Sequence, residues 1–208
     1  MKALSPQLVS FLLLVAATFH LLPLPSTATA TGEAPAPGPV SVNDDFIRSV
    51  CNNTMYADLC YSSISPYAAV IKQDPSALSR VGVTVAYSVV GRVTTDVTGL
   101  SRQAKGSAAA AISDCISTLG DAKDGISDSL GQLRQIEAGR SGNFKFAIDT
   151  VLTEMSAALT NEETCTDEFQ DEPEGPVKKK VMDSVTEAKK FTSIALAFVN
   201  YYAQKGSP

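Results

Sequence analysis

The chain has 208 residues, with 17 Lys and Arg against 22 Asp and Glu, for a formal net charge of −5. A chain of that sign is repelled by polyanions, so neither nucleic acid nor an anionic membrane surface is an expected partner. Its single histidine, His20, falls within the first thirty positions, leaving the remainder without a Ser-His-Asp or Cys-His site and without most zinc-enzyme ligand sets.

Lys2, an apolar run from Leu8 to Leu22, and Ala28-Thr29-Ala30 are the charged, apolar and small-residue parts of a secretory signal, read as residues 1–30. The run falls short of the ~20 residues that span a bilayer, and no later segment is long enough, so no membrane anchor is expected. Cleavage leaves 178 residues, enough for one domain with a sizeable core, and a charge of −6 because Lys2 is the only charge removed. Residues 31–40, TGEAPAPGPV, are rich in Pro and Gly with nothing to bury, and read as a disordered leader to a domain over 41–205.

From Asp44 to Lys72 short helical pieces alternate with punctuation: FIRSVC, the polar NNT, ADLCYSSI, Pro66, then YAAVIK. This predicts a helical hairpin over 44–72. Asn52-Asn53-Thr54 is a glycosylation sequon, making Asn52 a candidate modification site in a secreted chain. Four cysteines follow the signal, and an oxidising destination predicts two disulfides with three possible connectivities. The reading adopted pairs Cys51 with Cys60 and Cys115 with Cys165. Separations of 9, 55 and 50 do not fit the paired-ligand pattern of zinc sites, and no cofactor or metal is expected.

Asp74-Pro75 starts the first long helix, which carries Leu78, Val81, Val85, Val89 and Val93 as its predicted stripe and runs to Leu100. Its β-branched content suits a strand, but its length and its period do not. A second helix over about 107–136 places Ile112, Cys115, Leu119, Ala122, Ile126, Leu130 and Leu133 close to a heptad stripe. After Gly139-Arg140-Ser141-Gly142 comes a third, Phe144 to Cys165, with Phe144, Ile148, Val151, Met155 and Ala158 on one face. In an antiparallel pair, residues equally far from the turn face each other. Residue 140 is the midpoint of 115 and 165, so the turn lies where a Cys115 to Cys165 staple needs it.

The acidic segment TDEFQDEPEGP leads to a fourth helix from about Val177, with Val181, Val185, Ala188, Ala195, Phe198 and Tyr202 on one side. Lys178, Lys179 and Lys180 oppose the dipole in its first turn and read as a solvated cluster. Four such helices with short connections predict an all-α, up-down-up-down four-helix bundle with an N-terminal helical hairpin. Glu162, Glu163, Asp167 and Glu168 could formally support carboxylate chemistry, but charge runs at helix ends read as solvated. No Gly-rich phosphate loop follows a strand. A binding or inhibitory module is expected rather than an enzyme.

The Cys51/Cys60 hairpin, the third cysteine in DCISTLGDAKDGISDSL and SAALTNEETC around the fourth resemble the plant invertase and pectin methylesterase inhibitors, over about Asp44 to Ala203. The resemblance implies a secreted, apoplastic inhibitor that binds one cell-wall enzyme as a 1:1 complex and covers its substrate cleft. The SAALT run resembles the pectin methylesterase branch. Invertase inhibitors carry Pro-Lys-Phe where this chain has Phe144-Lys145-Phe146, so acid invertase is the second target. A related domain serves as the pro-region of some pectin methylesterases, but with the chain ending at Pro208 no attached catalytic domain is expected here. Ser117, Asp121, Asp124, Thr164 and Asp167 are the enzyme-facing positions that the resemblance implies. It also marks two departures: Ser117 stands where Glu is common, and Leu119 where Tyr is common. Pectin is a polyanion, so direct polysaccharide binding is not expected. A carrier of small apolar ligands is the rival of a different class, with Ala108 to Ala111 as the small residues that could leave room.

Overall fold

The computed structural model describes residues 42–206, so the signal and leader readings lie outside the described residues. The described residues begin with three short helices, α1 (Val42–Cys51), α2 (Ala57–Ile64) and α3 (Ala68–Ile71), with a 3₁₀ turn Ser65–Tyr67 between the last two. Four long helices follow: α4 (Pro75–Leu100), α5 (Ser107–Glu137), α6 (Phe144–Asp167) and α7 (Pro176–Lys205). The fold is all-helical, with two disulfides.

Local chemistry sets the helix ends. Asp74 caps α4 by accepting the Ser76 amide at 2.9 Å, while Pro75 fills a first-turn position that needs no donor. Gly139 and Gly142, at φ 65° and 69°, supply the left-handed turn after α5, where a side chain would strain the backbone. Asn143 then caps α6 by accepting the Phe146 amide at 3.0 Å.

In the bundle α4 packs on α5 and α7, and α6 packs on the same two helices, which is the neighbour pattern of an up-down-up-down bundle. The predicted α5 stripe is buried throughout. On α6, Ile148, Val151, Met155 and Ala158 are buried, while Phe144 is half-buried, its ring edge-on to Tyr202 with centroids 5.3 Å apart. On α7, Val181, Val185, Ala188, Ala195, Phe198 and Tyr202 face inward. On α4 the expectation is corrected: Val85 and Val89 are half-buried, and the core stripe instead runs through Val83, Ala86, Val90, Val93, Val97 and Leu100. Strict steps of four advance about 40° beyond a full turn each time, so they walk off a face that alternating steps of three and four hold.

The short helices bury Ile47, Val50, Ile64 and Ile71 against Leu78 and Val81 of α4 and Ile194 and Phe198 of α7, around the Cys51–Cys60 disulfide. Gly82 lets α4 and α7 approach there, since a Cβ at that position would lie 2.5 Å from the Phe198 ring. Beside it the Ser79 hydroxyl donates across the helices to the Phe198 carbonyl at 2.9 Å.

Candidate functional site

The five residues implied to face a partner fall on two elements. Ser117, Asp121 and Asp124 are exposed on α5, on the side away from Cys115, Leu119, Ala122 and Ile126, which are 0 % exposed. Asp128 continues the same face, and Asp114 begins it. Sequence reasoning passed over Asp114, although 114, 121 and 128 form an unbroken seven-residue repeat that should have flagged it. None of these four aspartates joins an ion pair among the described residues, whereas acids elsewhere do, such as Asp149 with Lys145 at 2.8 Å and Asp183 with Lys179 at 2.8 Å.

The Cys115–Cys165 disulfide, with Cα atoms 4.2 Å apart, sets the α6 residues level with this face. At about 1.5 Å per residue, Asp121 lies about 9 Å and Asp124 about 14 Å along α5 from the staple, and Asp128 about 20 Å. Thr164 is half-buried, and its hydroxyl donates to the Thr160 carbonyl of its own helix at 3.0 Å. Asp167 is exposed and accepts from the Gln170 side chain at 2.6 Å. The structure thus brings Ser117, Asp121 and Asp124 together on one helix, α5, and sets Thr164 and Asp167 on α6.

Two neighbouring residues behave unlike their sequence reading. Glu162 is not solvated: it is 0 % exposed, takes the Thr192 hydroxyl on Oε1 at 2.6 Å and has no partner for Oε2 among the described residues. Burial pushes its carboxyl up from 4.5 to about 7, with the Thr192 hydrogen bond and the Lys189 charge pulling the other way. The signal was present in the spacing, since 151, 155, 158, 162 and 165 continue one heptad stripe into the acidic run. Glu163, Asp167 and Glu168 are exposed as expected, so the run does not form a paired-carboxylate site.

Lys178 is the second correction. Its ammonium, on a side chain only 15 % exposed, donates to the Gln170 and Glu172 carbonyls at 3.1 and 2.8 Å and pairs with Glu174 at 3.0 Å. Cation and dipole still oppose each other, but three acceptors outweigh that repulsion. Phe169 is fully buried beneath the same loop, and Ser107 donates to Glu172 from the start of α5. Ala108 lines a surface groove of about 230 Å³ under the loop, while Ala111 packs in the core.

Residues 45–198 match the family described as plant invertase/pectin methylesterase inhibitor. The chain belongs to this family. It is 35 % identical over 173 residues to pectinesterase inhibitor 9 of Arabidopsis thaliana, covering 80 % of this chain and 85 % of that protein. It is 34 % identical to pectinesterase inhibitor 10 of the same plant over 77 % of this chain, but spans only 52 % of that protein's length. The fold resembles the crystal structure of mutant form A of a pectin methylesterase inhibitor from Arabidopsis, with TM-score 0.61 at 15 % identity, covering 74 % of this chain and 95 % of that one. Members of the family are inhibitors, not enzymes. Of the two family departures, Leu119 is buried and concerns packing, while only Ser117 changes the exposed surface. In the Phe144-Lys145-Phe146 triplet, Lys145 is tied to Asp149, Phe144 packs inward and Phe146 is exposed. Among the described residues there is no cluster of metal ligands, and no helix is long and apolar enough to cross a membrane.

Proposed function

We propose that this chain is secreted to the cell wall and inhibits pectin methylesterase as a 1:1 complex, the outer face of α5 covering the enzyme's substrate cleft. The observation that carries this reading is the row Asp114, Asp121, Asp124 and Asp128, exposed and free of ion pairs among the described residues, on a helix whose opposite face is buried. Charge of one sign on a rigid element steers and orients a protein partner. Pectin is itself a polyuronate, so a cleft that binds it accommodates negative charge, and an acidic helix competes there by occupying the space. The staple and the core stripe hold the row in place before docking, which lowers the ordering cost of binding.

The test is a titration of purified pectin methylesterase with the wild-type protein and with Asp121→Lys/Asp124→Lys, and acid invertase as the parallel target. Both positions are exposed, so the double variant keeps its helicity, and its stability changes by about 0.5 kcal/mol or less. Affinity for the methylesterase falls tenfold or more, which is about 1.4 kcal/mol. Wild-type inhibition by the double variant would remove α5 from the interface and move the search to the loop from Asp167 to Glu174. Inhibition of invertase with none of the methylesterase would overturn the target.

A further inference from the structure

We propose that Asn52 carries an N-linked oligosaccharide and that the turn holding it must be modified before the Cys51–Cys60 disulfide closes. Asn52-Asn53-Thr54 is the one N-x-S/T triplet in the chain, and it falls in the turn between α1 and α2. Both asparagines are exposed, yet they are not equivalent. Asn53 donates its side-chain amide to the Ser49 carbonyl at 2.8 Å, and Thr54 donates its hydroxyl to the Cys51 carbonyl at 2.8 Å. The Asn52 side chain has no hydrogen bond among the described residues. Its backbone amide, bonded to the Arg48 carbonyl at 3.0 Å, is all that the turn requires of it. Of the three sequon side chains, that of Asn52, the acceptor of the sugar, is the one without a hydrogen bond among the described residues.

The surroundings suit a glycan. Next to the turn lies a groove of about 510 Å³ whose walls include Asn53, Thr54, Asn200, Tyr201 and Gln204. Amides and a tyrosine give the proximal sugars both hydrogen-bonding partners and an aromatic edge. The short helices pack on α4 and α7, so the site lies across the bundle from the outer face of α5. An oligosaccharide there leaves the proposed inhibitory surface open.

The order of events follows from the turn. Transfer joins the Asn52 side-chain nitrogen to the anomeric carbon of an N-acetylglucosamine. The bond from that carbon to a polyprenyl-diphosphate carrier breaks, the lipid diphosphate leaves and the amide gives up one proton to the transferase. The enzyme must also engage the Thr54 hydroxyl in an extended chain, but in the fold that hydroxyl is held by Cys51 inside a loop closed over 9 residues. Folding and disulfide closure therefore compete with transfer, and occupancy is partial.

The inference rests on the secretory reading of residues 1–30, and the experiment separates the two. The full chain is expressed in plant cells, and the intact mass of the protein is measured in the extracellular and cytosolic fractions. Extracellular protein is expected in two forms, one heavier by a core oligosaccharide. Asn52→Gln and Thr54→Ala abolish the heavier form, Thr54→Ser retains it, and Cys60→Ser raises its share. Because the Asn52 side chain is exposed and makes no hydrogen bond among the described residues, Asn52→Gln keeps the wild-type thermal midpoint and inhibitory activity. Secreted protein at the bare polypeptide mass would overturn the glycan and leave secretion standing. Protein confined to the cytosol would overturn secretion and the glycan together. An unchanged share in Cys60→Ser would overturn the competition.

Discussion

Glu162 makes the stability of this bundle depend on pH with a sign opposite to that of most carboxylates. Its side chain is completely buried, and among the described residues it has one hydroxyl donor, Thr192, on Oε1 and none on Oε2. The nearest opposing charge, Lys189 on α7, is shared with Glu163 at 3.2 Å. Burial wins over both, carrying the carboxyl from 4.5 to about 7. Below the lower value the group is protonated in the folded and unfolded chains alike and costs nothing. Between the two values the unfolded chain releases its proton and the folded chain keeps it, so stability falls by about 1.4 kcal/mol per pH unit. Above about 7 the folded form ionises too, and about 3 kcal/mol has been lost in full.

Glu162→Gln keeps the shape and the acceptor for Thr192 but cannot ionise. Against wild type it is expected to be nearly equal in stability at pH 4 and more stable by about 3 kcal/mol at pH 8, or about 6 to 12 °C in thermal midpoint. Denaturant titrations and thermal melts at half-unit steps across that range measure the difference, and the other carboxylates cancel in it. Thr192→Val removes the hydrogen bond that favours the charged form, so the wild-type slope should extend to higher pH. Parallel pH profiles for wild type and Glu162→Gln would refute the reasoning.

Three more outcomes are expected. Cys115→Ser should lower stability more than Cys51→Ser, since the loops of 50 and 9 residues correspond to about 4 and about 2.7 kcal/mol of chain entropy; equal losses of thermal midpoint would count against the ranking. Gly82→Ala should cost about 1–3 kcal/mol because its Cβ meets a buried ring at 2.5 Å, and an unchanged melting temperature would show that Phe198 can move aside. Lys178→Ala strips the donor from two loop carbonyls, so amide exchange over residues 168–175 should quicken and stability fall by about 1–3 kcal/mol; protection as in wild type would mean that Phe169 alone holds the loop.

The long helices were legible because each repeats its apolar face over many turns, so a misjudged residue does not disturb the period. The Cys115–Cys165 staple was legible for a geometric reason: an antiparallel pair is symmetric about its turn, and the glycines mark that turn. What escaped was pairing between elements. Nothing near Glu162 in sequence announces Thr192, thirty positions away on α7, and nothing in the Lys178 cluster announces that the preceding loop folds back to meet it. Val85 and Val89 escaped differently, because Tyr67 and Val70 of the short N-terminal segments line a groove with them on that side of α4 and blur the edge of its core stripe.

The candidate surface divides along the same line. Which residues of α5 face outward follows from the heptad, and the repeat reaches Asp114 as well as the positions marked by resemblance. Thr164 came from resemblance alone, and its hydroxyl donates to the Thr160 carbonyl of its own helix. Glu162 shows why periodicity should outrank polarity when the two disagree. A stripe that has held 151, 155 and 158 inward takes 162 with it, whatever the side chain, because the helix cannot turn one residue away without unwinding. The carboxyl must then be neutralised or paired, and one hydroxyl is too little to pair it. A proton is the remaining partner, so this core is complete in acid and short of one proton above neutrality.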